Sequence, residues 1–104
     1  MSATLVVLAI PNPAARDAER EYLAGVLPML ERAGGRDARR LRVDGILAGN
    51  ADYSRLLVME FPSAEMLRAL FESAEYQALV PLRNRAFVRI DMLVAQALDG
   101  QQAG

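Results

Sequence analysis

At 104 residues, 53% of them apolar and with a net charge of −1, the chain has the length of one domain and lacks the basic excess of a nucleic-acid partner. It contains no cysteine and no histidine, which excludes a disulfide framework, a thiolate nucleophile, a Cys-based zinc or iron–sulfur site, a histidine-dependent triad and a histidine haem ligand. All 12 basic residues are arginine, so a Schiff-base lysine is excluded as well; a GC-rich genome gives such an inventory, and arginines serving phosphate recognition would need to be clustered.

Thr4 to Ile10 (TLVVLAI) reads as the first strand, branched and apolar on both faces. Its run of apolar residues is far shorter than the roughly 20 needed to span a bilayer. Met1-Ser2-Ala3-Thr4 carries no basic n-region, so no signal peptide or membrane association is expected and the expected location is cytoplasmic. Asn12-Pro13 predicts a helix start with Asn12 as N-cap. Ala15, Ala18, Tyr22, Val26, Met29, Leu30 and Ala33 then form one apolar stripe. Pro28 should interrupt and bend this helix, and Gly34-Gly35 should end it. These glycines and Gly45 lack the spacing of a phosphate loop.

Arg39 to Leu47 (RRLRVDGIL) alternates charged and apolar residues and predicts an edge strand, with Leu41 and Val43 on one face and Arg40, Arg42 and Asp44 on the other. Arg55 to Phe61 (RLLVMEF) predicts a third strand, apolar on both faces apart from Glu60. Ser63 caps a second helix whose buried stripe is Met66, Leu67, Leu70 and Phe71; Ser73 caps a restart carrying Tyr76, Leu79 and Val80, which Pro81 ends. In Phe87 to Leu98 the alternation of Val88, Ile90, Met92 and Val94 with Arg89 and Asp91 predicts a strand for the first part. One domain over residues 1–98 is expected, followed by a frayed polar tail over 99–104.

The order β-α-β-β-α-β is the ferredoxin-like pattern of the α+β class. Right-handed crossovers put both helices on one face of a four-stranded antiparallel sheet, with strands one and three central. Those two strands are apolar on both sides, so the helix-free face needs a cover of its own. A second copy packed sheet to sheet supplies it, as an isologous homodimer burying roughly 1,200–2,000 Å².

Val58-Met59-Glu60-Phe61-Pro62-Ser63, followed by Ser73-Ala74-Glu75-Tyr76-Gln77 and Pro81-Leu82-Arg83, resembles the bacterial domain-of-unknown-function family DUF1330 of the dimeric α+β-barrel superfamily. Tyr22, Pro28 and Gly34-Gly35-Arg36 fit the family's first helix and its end, and the resemblance runs from Thr4 to about Leu98. The second strand departs from it, with Arg39-Arg40-Leu41-Arg42 where the family is richer in glycine and apolar residues. The resemblance implies two sheets packed face to face in a dimeric barrel. It implies no particular reaction; wider relatives include cofactor-free monooxygenases, haem-degrading enzymes, lactone isomerases and stress-response proteins.

Glu60 is the foremost candidate for chemistry. It shares a strand face with Leu56 and Val58 and should point into the space between sheets, where an enclosed carboxylate could serve as general base. Arg89 and Asp91, and likewise Arg42 and Asp44, should share that face and could line an anion pocket with Glu60, or pair among themselves. Arg83 and Arg85 could hold a carboxylate after the short helix, or remain solvated loop charges. Tyr22 and Tyr76 sit on apolar stripes, where a phenol either packs with its hydroxyl bonded or faces a ligand. Two function classes follow. One is a cofactor-free enzyme or isomerase acting on a small organic acid or aromatic molecule, with Glu60 as base and Arg42, Arg83 or Arg89 orienting an anion. The other is a non-catalytic dimer that binds a small ligand or serves as an accessory module. Neither requires a metal or other cofactor.

Overall fold

The computed structural model describes residues 2–98; the tail expected over 99–104 lies outside the described residues. Four strands and four helical segments follow in the order β1 (Ala3–Pro11), α1 (Arg16–Arg32), β2 (Arg36–Arg42), β3 (Arg55–Phe61), α2 (Ala64–Glu72), α3 (Ala74–Gln77), α4 (Val80–Ala86) and β4 (Phe87–Ala95). The strands form one antiparallel sheet in the order β2-β3-β1-β4. The sheet has the ferredoxin-like arrangement, with β1 and β3 at its centre.

Register decides which side chains meet the helices. Leu5 pairs with Met59 and with Val94, and Val7 with Leu57 and Met92. Partners across antiparallel strands share a face, so these residues lie under the helices, where they pack with Tyr22, Val26, Leu30, Leu67 and Tyr76. The alternate residues of β1 and β3, namely Val6, Leu8, Leu56 and Val58, project to the helix-free face together with Leu93 of β4. None of these five is fully buried, and Leu93 is 53% exposed.

Several local expectations change. Asn12 does not cap α1. Its side-chain oxygen accepts from the Ala14 N–H at 3.0 Å in a tight turn, and the helix begins at Arg16 after Ala15. Pro28 is exposed and α1 runs through it without a break. Gly34-Gly35 does end α1. Gly34 takes φ +93° and its N–H bonds Glu31 O, while the Gly35 N–H bonds Leu30 O at 2.9 Å; this pair of bonds satisfies the helix's last carbonyls. A side chain at Gly34 would meet the Pro62 ring at 2.8 Å.

β2 begins earlier and ends earlier than expected, at Arg42, and residues 43–54 form a loop tied at its base by the Val43 N–H to Ser54 O bond. Ser63 and Ser73 cap as expected, accepting from the N–H groups of Met66 and Tyr76. The Ser73 hydroxyl also donates to Leu70 O, which joins the end of α2 to the start of α3. Pro81 does not end the helical run but sits in the first turn of α4, where its missing N–H costs nothing. Arg83 and Arg85 are therefore helical residues. Met66 is 43% exposed and Val88 67% exposed, so neither belongs to the core; the register of β4 shifts between Ile10 and Pro11 of its partner strand, next to Val88.

Candidate functional site

The apolar side chains of α1 do not close completely on the sheet. Between Tyr22, Leu23, Val26, Leu27 and Leu30 of α1 and Val7, Leu57, Ile90 and Met92 of the sheet lies a cleft of about 390 Å³, bordered also by Phe71 and Phe87. That volume falls in the usual range for small-molecule sites, about 300–1,000 Å³. The cleft is on the helix side of the sheet.

Glu19, Arg40, Arg42 and Arg55 are its charged lining, and Tyr22 of α1 its phenol. The Tyr22 hydroxyl lies 2.8 Å from that of Tyr76, and Arg83 Nη1 donates to Tyr76 at 3.0 Å. Tyr76 also reaches Met92 Sδ at 3.8 Å. Both tyrosines are buried, Tyr22 edge-on to Tyr76 and to Phe87, and Phe71 edge-on to Tyr76. Such aromatic contacts fix ring orientation, and so fix the line from Arg83 through Tyr76 to Tyr22. The Arg83 guanidinium makes no ion pair among the described residues. It lies 5.9 Å from the centroid of the Tyr76 ring, and its Nε is buried without a hydrogen-bond partner among the described residues. A buried donor left in that state costs about 1–3 kcal/mol. A smaller hollow of about 240 Å³ adjoins the chain on the α2 side, lined by Tyr76, Arg83, Arg68 and Gln77 over Leu5, Phe71 and Met92.

Burial, reinforced by the bond to Tyr76, raises the Tyr22 phenol well above the ordinary tyrosine range, with Arg83 opposing weakly. Tyr22 therefore stays protonated and serves as a hydrogen-bonding group rather than a base.

The structure brings Tyr22, Tyr76 and Arg83 together, but distributes the other candidates elsewhere. Arg42 is not on the helix-free face. It pairs with Arg55, and Arg55 pairs with Ala9, which faces the helices. Arg42 consequently stands at the cleft mouth with Arg40 and Arg55, while Leu41 turns to the helix-free face opposite Leu56. Asp44 lies beyond the strand. Arg85, on α4, is exposed and within 3.9 Å of Asp17.

Glu60 does lie on the helix-free face, opposite Thr4, whose hydroxyl stands 3.0 Å from each carboxylate oxygen. Arg89 and Asp91 share that face but at its other end, opposite Ile10 and Leu8. Along β1, Thr4 is six steps from Ile10 and four from Leu8, about 20 and about 13 Å at about 3.3 Å per residue, so these groups do not form one pocket with Glu60. Arg89 instead forms ion pairs with Asp91 at 3.5 Å and Asp52 at 3.8 Å, and its guanidinium sits 4.7 Å from the centroid of the Tyr53 ring. The Tyr53 hydroxyl bonds Asp91, and that bond raises the Tyr53 phenol.

Sequence reasoning did not single out the cleft itself, Tyr53, or the Arg55–Glu19 pair at 3.5 Å that links β3 to α1. The parity of β2 would have exposed the mouth arginines, had Leu41 rather than Arg42 been assigned to the helix-free face. Among the described residues, no helix is long and apolar enough to cross a membrane, and no group of three or more His, Cys, Asp or Glu could hold a metal ion.

Since the phenol of Tyr22 is raised in the folded state, it contributes stability that is present below about pH 10 and is lost as pH climbs above it. Urea denaturation of the wild type should show falling stability through that alkaline range. Tyr22→Phe should cost about 1 kcal/mol at neutral pH and flatten the alkaline decline; equal slopes in the two proteins would contradict the assignment.

Comparison with solved structures supports the architecture. The RPA0582 protein of unknown function from Rhodopseudomonas palustris superposes with a TM-score of 0.76 at 19% identity, covering 93% of this chain and 82% of that one. A Dabb family protein with a ferredoxin-like fold from Mesorhizobium loti gives 0.68 at 16% identity, over 93% and 97% of the two chains. A dimeric ferredoxin-like protein of unknown function from Jannaschia sp. CCS1 gives 0.71 at 14% identity, over 93% and 100%. A search of curated proteins finds no match. The family model described as domain of unknown function (DUF1330) matches residues 5–98, and the chain belongs to that family.

Proposed function

We propose that the protein is a homodimer that binds a small organic acid or aromatic molecule in the cleft between α1 and the sheet. The observation that carries this reading is the cleft with apolar walls, charged groups at its mouth and the Tyr22 phenol in its lining, backed through Tyr76 by the cation of Arg83. A flat apolar body fits the walls, and a carbonyl, hydroxyl or carboxylate on it accepts from the Tyr22 hydroxyl when that proton turns to the ligand and Tyr76 donates to Tyr22 in its place. A chain of hydrogen bonds ending on a cation strengthens each of its links.

Binding is favoured over catalysis by the groups that line the cleft. The carboxylate among them, Glu19, is paired with Arg55, and Tyr22 holds its proton. Glu60, the candidate base, is on the opposite face of the sheet with Thr4 as its partner. A ligand in the cleft is therefore out of reach of Glu60, which lies across the sheet from it.

The dimer reading rests on the helix-free face. Val6, Leu8, Leu56, Val58, Leu93 and Leu41 form its apolar middle, with Glu60 and Thr4 at one end and Arg89, Asp91 and Tyr53 at the other. An apolar centre with a polar rim is the anatomy of a protein interface, and the similar Jannaschia protein is described as dimeric.

Light scattering at micromolar concentration should give twice the chain mass. Leu8→Arg, at the centre of the apolar face, should give a monomer; a wild-type monomer would contradict the dimer.

A thermal-shift screen with small carboxylates and aromatics should yield ligands that raise Tm equally in the wild type and in Glu60→Gln. The shift should vanish in Leu27→Trp, which fills the cleft from α1. Loss of the shift in Glu60→Gln with retention in Leu27→Trp would overturn the cleft reading.

A further inference from the structure

We infer that the ligand of the cleft is an anionic amphiphile whose phosphate-bearing head stays outside the cleft, in a vestibule of guanidinium groups. This inference rests on the reading of the cleft as a ligand site. At the start of α1 the cleft opens into a vestibule of about 660 Å³ that shares Leu23, Arg40, Arg42 and Arg55 with it. Arg16 and Arg20 complete the rim, so five arginines face a single carboxylate, Glu19. Glu19 is already committed to Arg55 at 3.5 Å. The remaining four arginines are exposed and make no ion pair among the described residues.

The concentration stands out against a net charge of −1 for the whole chain. Like charges gathered at one rim repel one another and favour a bound anion, and a cleft with low-dielectric walls focuses their field. A monocarboxylate occupies one guanidinium fork, whereas the several oxygens of a phosphate or diphosphate can engage two or more. The apolar walls begin where the arginines end, at Leu23. One molecule therefore meets both environments when its apolar part enters the cleft and its charged head remains in the wet rim.

Calorimetric titration with octyl phosphate, octanol and inorganic phosphate separates these contributions. At low ionic strength octyl phosphate should bind at least tenfold more tightly than either of the others, and its advantage over octanol should shrink as salt is raised. The double variant Arg40→Gln/Arg42→Gln should lose that advantage; Arg16→Gln/Arg20→Gln, on exposed positions of α1, offers a second route to the same loss. Equal binding of octyl phosphate and octanol would overturn the phosphate-head inference while leaving the cleft reading in place. Equal binding of inorganic phosphate and octyl phosphate would overturn the amphiphile in favour of a free-phosphate site. Absence of binding by octanol and octyl phosphate alike would overturn both the inference and the cleft reading.

Discussion

In β1, Leu5, Val7 and Ala9 face the helices while Val6, Leu8 and Ile10 face away, and in β3 Leu57 and Met59 are backed by Leu56 and Val58 in the same manner. Two adjacent central strands that are apolar on both sides require two covers. Helices α1 to α4 provide one. Fully burying a side chain of this size is worth about 1.5–3 kcal/mol, so leaving the other row against water would waste much of the hydrophobic stabilisation open to a small domain. A second copy on that face would recover it. This constraint separates the two faces, leaving an uncovered apolar row on the helix-free side and the cleft on the helix side.

The cleft exists because α1 cannot meet the whole width of the sheet. β2 is exposed along its entire length, and between it and α1 stand the charged side chains of Arg40 and Arg42, which line the cleft mouth. Within this apolar setting the Arg83–Tyr76–Tyr22 chain is a polar insertion that stability alone does not explain. The half-buried Arg83 makes no ion pair among the described residues, and its Nε lacks a hydrogen-bond partner among them. Its arrangement makes sense as an electropositive backing for whatever contacts Tyr22. The crowding of arginines at the mouth is likewise a cost in the free protein that an anion bound there would offset.

Most of the fold was legible because its signals are local. Ser63 and Ser73 reveal their caps, Gly34-Gly35 its helix end, and the two-sided apolar runs of β1 and β3 their central places in the sheet. Where local signals competed, the reading slipped. Asn12 has the chemistry of a helix cap but spends its side chain on a turn two residues on, and Pro81 opens a helical turn as readily as it ends one. Of the site, Tyr22 and Tyr76 were visible as polar groups on apolar stripes and Arg83 as a charge after the short helix, yet nothing in the sequence says that their tips converge. The face of Arg42 depended on one residue of strand parity. The arginine cluster was invisible for a different reason: Arg16 and Arg20 are close to Arg40, Arg42 and Arg55 only after α1 has folded back across the sheet.

Methyl NMR of the protein titrated with octanoate distinguishes the two faces most directly, since neighbouring residues of one strand report on opposite sides. If the helix side carries the ligand, the methyl signals of Val7, Leu57, Ile90 and Met92 shift while those of Val6, Val58 and Leu93 do not. Shifts confined to Val6, Val58 and Leu93 would place the ligand beside Glu60 on the helix-free face and contradict the assignment of functions to the two sides of the sheet.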